Sequence, residues 1–334
     1  MGITAKELAK RLKLSESAVS LALNNKPGVS TETRKRVLYT AKELGYDLSK
    51  ISEQTISSKN INLVIYKREG AILVDTPFFS QLTEGIELSC KKNQLNLVVN
   101  ILQKNDDIDW RIRQIAYSDC AGIILLGTEM RQEDFVPFSK LEVPIVLLDV
   151  GFDTVNCDCV LINNVQGAFT ATSFLIEKTD KQPGYLHSSY SISNFEERSD
   201  GFYKAIRFHG MSTSKSIVHR LSPSVEGAMS DMLSFLERGD ELADCYFADN
   251  DLIAIGAIKA FLQHGLKIPE DIAIVGFDDM PGAEYIEPTL TTMNVPKQYM
   301  GEVATLRLLE LIKNPNALPV KNEIFTTLVK RRSV

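Results

Sequence analysis

The chain has 334 residues, 44% hydrophobic and 24% charged, with a net charge of −6. These are globular proportions with room for several domains, and they exclude a disordered or collagen-like chain. No apolar run approaches the ~20 residues of a membrane span, and the first residues lead into a capped helix rather than an apolar signal region.

The first elements are helical. Thr4-Ala5-Lys6-Glu7 has capping-box spacing, and Leu8, Ala9 and Leu12 follow at helical spacing. After Lys13-Leu14, Ser15 can cap a second helix with Ala18, Val19, Ala22 and Leu23 on its apolar face. Val29-Ser30 opens a third, with Val37, Leu38, Ala41 and Leu44 inward and Gly45 as its stop. Two short helices joined by a tight turn are the geometry that places the second in a DNA major groove. Charge separates this head from the rest: residues 1–50 carry ten Lys/Arg and five Asp/Glu, or +5, and the remainder carries −11. A basic module on an acidic body points to a polyanion partner for the head alone. The bland alternative is three solvated helices with ordinary surface lysines.

From Asn60 the chain alternates strand and helix. Strands are predicted over 61–66, 95–102, 122–126 and 144–148, with helices over 78–92, 107–118 and 132–141; Leu88 and Ser89 lie near the inward side of the first. A second run has strands over 160–162, 184–186, near 217, 245–247 and 272–277, with helices over 165–177, 195–209, 225–237 and 252–264. Repeated βαβ units imply parallel sheets with helices on both faces, and two runs imply two such subdomains. A ligand belongs at the carboxyl ends of the strands, in the cleft between them.

Catalytic, metal and cofactor signals are missing. There is no phosphate loop, no G-x-G-x-x-G after a strand, and no Cys/His pair to complete a metal site with Cys157-Asp158-Cys159. His209 and His264 stand at helix ends before glycines, where imidazole suits the dipole. The cysteines (90, 120, 157, 159 and 245) follow no disulfide framework and read as free thiols of a cytoplasmic protein.

The head, from Ile3-Thr4-Ala5-Lys6-Glu7-Leu8-Ala9 through Ser15-Glu16-Ser17-Ala18-Val19-Ser20-Leu21 and Val29-Ser30-Thr31-Glu32-Thr33-Arg34 to Glu43-Leu44-Gly45-Tyr46, resembles the DNA-binding head of the lactose-repressor (LacI/GalR) family. The core resembles the family's counterpart, which shares the fold of periplasmic sugar-binding proteins. The likeness rests on Pro77-Phe78-Phe79, Pro144-Ile145-Val146-Leu147-Leu148-Asp149, Glu197-Arg198-Ser199-Asp200-Gly201, Ala248-Asp249-Asn250 and Val275-Gly276-Phe277-Asp278-Asp279. The resemblance implies α/β architecture: a three-helix helix-turn-helix head plus two doubly wound parallel-sheet subdomains. Its boundaries would be head 1–46, linker 47–59, N-terminal subdomain 60–159 plus 292–321, and C-terminal subdomain 160–291 plus 322–334. Crossings would fall near 157–162, 289–294 and 322–324.

Functional residues carry over in the same way. Ser15, Ser20, Asn24, Ser30 and Thr33 would touch phosphates, with Thr4 beside them, while Glu16, Ser17 and Leu21 would face base edges. The family usually has Gly where this chain has Lys13, so either Lys13 takes a left-handed backbone or the turn differs. It usually has Arg where this chain has Leu21, and Leu offers a base only apolar contact, so the operator should depart from the family norm. In the linker, Thr55 falls at the position of the family's minor-groove wedge, with Ile56 beside it. Residues 47–59 make either a short helix that needs DNA and a partner subunit to form, or a plain tether. The cleft would hold Phe79, Asp149, Arg198, Asn250 and Asp278, a mix of carboxylates, amide, guanidinium and aromatic face that suits a sugar or sugar phosphate. The region 221–225 offers Pro223 and no aromatic to face Phe79.

The function implied is a cytoplasmic, effector-controlled transcriptional regulator, a homodimeric repressor on a pseudo-palindromic operator, and not an enzyme. No leucine heptads follow the last predicted strand, so assembly should stop at the dimer. The rival reading is a sugar-binding or sugar-modifying protein whose head is a protein-interaction module.

Overall fold

The computed structural model describes residues 3–23, 28–44, 46, 59–70, 72, 77–117 and 119–334. The chain forms two compact units, residues 1–58 and 59–334.

The first unit contains three helices, α1 (Ala5–Leu12), α2 (Glu16–Leu23) and α3 (Thr31–Glu43). The capping box forms: the Thr4 hydroxyl accepts from the Glu7 amide at 3.3 Å, and the Glu7 carboxylate accepts from the Thr4 amide at 2.7 Å. Lys13 ends α1 in the left-handed region at φ 55°, so the turn is kept and a lysine stands where glycine would be unstrained. Leu8, Ala9, Val19, Ala22, Leu23, Val37 and Ala41 form a small core. Leu38, expected inward, is 39% exposed, because it lies a full 100° step from Val37 and off the Val37–Ala41 face. Gly45 and the linker 47–58 lie outside the described residues.

The second unit begins with β1 (Asn60–Lys67), α4 (Pro77–Lys92), β2 (Asn96–Gln103), α5 (Ile108–Tyr117) and β3 (Gly122–Leu126). The helix expected over 132–141 is instead α6 (Gln132–Phe135) and a 3-10 turn over Phe138–Lys140, because Pro137 interrupts it. Strands β4 (Ile145–Leu148) and β5 (Asp158–Ile162) complete the first run. Next come α7 (Asn164–Thr179), β6 (Gly184–Ser188), α8 (Ser193–Phe208), β7 (Val218–Leu221), α9 (Val225–Glu237), β8 (Cys245–Ala248), α10 (Asp251–Gln263), β9 (Ala273–Asp278) and α11 (Gly282–Tyr285). The chain ends with β10 (Thr291–Asn294), α12 (Lys297–Lys313), β11 (Lys321–Ile324) and β12 (Thr327–Val329).

Two six-stranded sheets result. The first runs β11-β5-β4-β3-β1-β2, and its pairings are parallel. The second runs β12-β10-β9-β8-β6-β7, parallel except for β12 against β10. The chain changes sheet after β5, β10 and β11, so each of these strands belongs wholly to one sheet. The expected boundaries at 159/160, 291/292 and 321/322 cut through or beside strands, whereas backbone pairing keeps each strand whole and moves the crossings to their carboxyl ends.

Strand alternation builds the layers. Ile61 and Leu63 face α4, while Val64 and Tyr66 face the opposite cluster with Ile112 and Phe135. In the second sheet Phe247 and Val275 share a cluster with Ala168, Phe202 and Ile206, and Tyr246 and Ile274 pack with Ile258 and Phe261. Glycine sets one close approach: a Cβ on Gly85 would lie 2.0 Å from the Gln298 carbonyl oxygen, so α4 and α12 meet at backbone distance. Leu88 is 48% exposed, correcting its inward placement, while neighbouring Ser89 is buried.

Candidate nucleic-acid interface and ligand cleft

In the head, hydroxyls expected at phosphates cap helices. Ser15 Oγ accepts from the Ala18 amide at 3.1 Å, and Ser30 Oγ accepts from the Thr33 amide at 3.1 Å. Ser15 also pairs with Ser17, and Ser30 with Thr33. Capping orients the amino ends of α2 and α3, the ends that attract anions. Glu16, Ser17 and Ser20 are exposed on α2, whereas Leu21 is half-buried. A Cβ on Gly28 would lie 3.1 Å from a Leu21 methyl, so Leu21 leans toward the turn at Gly28 as well as outward. Asn24, Thr55 and Ile56 lie outside the described residues.

In the second unit, Phe79, Asp149, Arg198, Asn250 and Asp278 line one cavity of about 40 Å³. Each stands at or just beyond a strand end, or on a helix facing those ends. Phe79 sits in the first turn of α4, and Asp149 follows β4 at φ 62°. Arg198 projects from α8, Asn250 caps α10, and Asp278 ends β9 at φ 108°. The αL and neighbouring positive-φ conformations are costly for non-glycine residues and cluster where side chains must be aimed.

The charged groups hold one another. Arg198 is 3% exposed. Its Nε donates to Asn164 Oδ1 at 2.9 Å, Nη2 to Asp278 Oδ1 at 3.1 Å, and Nη1 to the Asp249 carbonyl. The guanidinium lies 3.9 Å from the Phe277 ring centroid. Asp149 accepts from the Thr128 hydroxyl at 2.6 Å and from Asn194 Nδ2 at 3.0 Å, which ties the first sheet to α8 across the cleft. Burial pushes the Asp149 carboxyl up to about 6 against the opposing pull of Thr128, Arg198 and Asn194. Burial also raises Asp278, partly offset by Arg198 and Lys297. Behind it Asp251 is pushed up to about 8, first by burial and then by the charge of Asp278, so it is mainly protonated at neutral pH. Asn250 spends its carbonyl oxygen on the Ile253 amide, leaving its NH₂ for other partners.

Several lining residues escaped the sequence reading. Phe78, Thr128, Asn194 and Phe195 join the lining, and Phe195 supplies the second aromatic that 221–225 lacks; Pro223 lines the cavity too. Lys297 opens α12 at the second crossing and is 3% exposed; its Nζ donates to the Val295 carbonyl at 3.2 Å and to the Asp278 carbonyl. Glu129, just after β3, is a further omission. One carboxylate oxygen accepts from the amides of Arg68, Glu69 and Gly70 at 2.8–3.0 Å, and the other from Ile72 at 2.8 Å. Those four donors belong to the segment after β1, whose Ile72 lines the cleft. The only sequence signal was a carboxylate following the apolar strand 122–126.

Asp158, between Cys157 and Cys159, is tied instead to Arg307 at 2.6 Å, and no group of three metal-ligating side chains occurs among the described residues. His209 and His264 cap α8 and α10. No helix among the described residues is long and apolar enough to cross a membrane.

Residues 4–49 match the bacterial regulatory proteins of the lacI family, and residues 174–334 match the periplasmic binding protein-like domain. The ribose operon repressor of Haemophilus influenzae is 29% identical over 322 residues, 94% of this chain and 93% of that protein. The transcriptional regulator CelR–cellobiose complex superposes with a TM-score of 0.73 at 25% identity, covering 99% of this chain and 100% of that one. A lac repressor dimer bound to operator and the anti-inducer ONPF gives 0.72 at 21% identity, covering 100% and 99%. The reading of the head as a protein-interaction module gives way to the match over residues 4–49. With its helix-turn-helix head and two-sheet effector-binding core, the chain is a LacI-family DNA-binding transcriptional repressor, not an enzyme.

Proposed function

We propose that this repressor acts as a cytoplasmic homodimer on a pseudo-palindromic operator and releases or grips it in response to a saccharide in the cleft. The observation that carries the effector reading is the convergence of Phe79, Asp149, Arg198, Asn250 and Asp278 on one buried cavity between the two sheets. Carboxylates and an amide suit hydroxyls, and the phenylalanines suit the apolar face of a sugar ring. The head residues Thr4, Ser15, Ser20, Asn24, Ser30 and Thr33 position it on phosphates, Glu16, Ser17 and Leu21 read bases, and Thr55 with Ile56 enter the minor groove. The first subdomain comprises 60–162 with 297–324, and the second 163–294 with 325–334. Saccharide binding shifts the balance between two arrangements of these subdomains, and the heads follow.

The dimer forms through the core. Val98, Val99 and Ile101 are 40–50% exposed on edge strand β2, and nearby in sequence Trp110 is 54% exposed, an apolar surface of the kind a partner covers. Light scattering on the full chain should give twice the monomer mass; a monomer or tetramer contradicts this assembly. Fluorescence anisotropy on duplex DNA from upstream of its own gene tests the function. The full chain should bind with strong salt dependence, and residues 59–334 should not bind.

A further inference from the structure

Asp249 is a fully buried carboxylate that stands behind the cleft lining rather than in it. It follows the apolar strand β8, where a hydrophobic side chain would be the simpler choice. A buried carboxylate persists only where donors replace its water. Three do so here, all from the neighbouring strand β6. The Tyr185 hydroxyl donates to Oδ1, and the Ser188 amide donates to Oδ2 at 2.6 Å. His187 Nδ1 lies 2.7 Å from Oδ2 and, facing an acceptor, carries the ring hydrogen.

The same residue holds Arg198. The peptide carbonyl of Asp249 accepts from Arg198 Nη1, so the bonds that fix the carboxylate also fix the carbonyl that aims the guanidinium. A guanidinium has five N–H donors. Three are engaged by Asn164, Asp249 and Asp278, so two are left for a ligand, and those three anchors set their direction. A second route runs through ring packing. The Tyr185 ring centroid lies 4.8 Å from that of Phe202, one turn beyond Arg198 on α8.

The network also shapes the chain leaving β6. Ser188, whose amide Asp249 binds, accepts the Tyr190 amide on its Oγ at 3.0 Å. That loop carries Ile192 into the cleft lining. Groups held in place beforehand bind more tightly than groups a ligand must order.

We propose that Asp249 is a positioning residue for effector binding: held by Tyr185, His187 and the Ser188 amide, it aims the Arg198 guanidinium and the loop between β6 and α8 into the cleft. This rests on the reading of the cleft as the effector site.

Two variants of the full chain separate positioning from a plain role in folding. Asp249→Ala removes the acceptors, whereas Asp249→Asn keeps an oxygen for Ser188 and His187 and turns its NH₂ to the Tyr185 hydroxyl. The readout is solvent exchange of the Arg198 Nε–H in nitrogen-15 NMR, the signal being identified by its loss in Arg198→Lys. Exchange should be slow in wild type and Asp249→Asn, and at least tenfold faster in Asp249→Ala. The amides of Ile258 and Phe261, buried in α10, should keep their rates. Equal exchange at Arg198 in all three proteins overturns the inference, as does an acceleration that α10 shares. If Asp249→Ala does not fold, Tyr185→Phe takes its place, with at least a twofold acceleration expected at Arg198 alone; no change overturns the inference. Calorimetry with D-ribose should show binding at least tenfold weaker in Asp249→Ala than in wild type or Asp249→Asn, and equal binding by all three overturns the claim. The expected exchange pattern in a wild type that ignores D-ribose supports the positioning and counts against the saccharide reading, so the two fail separately.

Discussion

In the proposed reading, the head and the cleft recognise their targets by opposite means. The head presents exposed polar side chains drawn from short stretches of sequence, Ser15 to Ser20 and Ser30 to Thr33, on helices that the same hydroxyls cap. The cleft gathers aromatic, amide and charged groups from positions as far apart as Phe79 and Asp278, the charged ones already hydrogen-bonded within the protein. An exposed reader that caps no helix, such as Glu16, can be exchanged with little effect on folding, so sequence preference can change one residue at a time. A buried reader is coupled to its neighbours, so changing it disturbs ligand and framework together.

The largest effect should come from breaking that coupling at its centre. Arg198→Ala leaves Asp278 and Asn164 without their donor and should weaken saccharide binding by about 2–5 kcal/mol. DNA affinity without sugar should stay within a few-fold. Calorimetry and anisotropy on one preparation separate the two, and an unchanged sugar affinity would move the site elsewhere.

Glu129→Ala should come next. It strands the amides of Arg68, Glu69, Gly70 and Ile72, with an expected loss of about 1–3 kcal/mol in saccharide affinity. Hydrogen exchange should accelerate at those amides first. Unchanged protection there would show that the carboxylate is not what holds the segment.

On the head, Leu21→Arg should shift base preference by about 1–3 kcal/mol at one position and leave the sugar response intact. Binding sites selected from random DNA by the two proteins should differ; identical consensus sequences would take Leu21 out of the groove.

The pH dependence set by Asp251 touches neither reader and acts on stability alone. Its folded pKa, near 8, lies above its ordinary value of 3.8. The folded state therefore holds a proton that the unfolded state releases. Stability from this group is full below about 4, declines by about 1.4 kcal/mol per pH unit, and is lost as pH passes 8. Asp251→Asn should flatten denaturation midpoints between pH 6 and 8. A parallel decline in both proteins would take it away from Asp251 and leave Asp278, which burial raises too, as the next group to test.

The same contrast explains what could be read in the sequence. The capping box, the left-handed option at Lys13 and the helix-turn-helix spacing are local, and the structure shows them where the residues place them. Leu38 was misplaced because a small helical head has a narrow inward stripe. In the core, alternating apolar runs revealed the sheets, while the five residues found lining one cavity came from the family resemblance. Helix α12 went unassigned because the reading stopped at the last clear strand, although Met300, Ala304, Leu308 and Leu311 repeat at helical spacing. Thr128, Asn194 and Glu129 were illegible for a different reason. Each acts on a partner 21 or more positions away, and nothing in their own neighbourhoods distinguishes them from surface polar residues.

The central claim is that DNA reading and sugar sensing are separate chemistries joined in one chain. The most direct test is an anisotropy titration of an operator selected from random DNA, using wild type, Leu21→Arg and Arg198→Ala, each with and without the saccharide that binds wild type most tightly. Wild type should change operator affinity on adding sugar. Arg198→Ala should bind the same operator but ignore sugar at that concentration. Leu21→Arg should prefer a different operator and still respond. If Arg198→Ala responds like wild type, or if losing the operator and losing the sugar response always coincide, the two regions are not the separate readers described here.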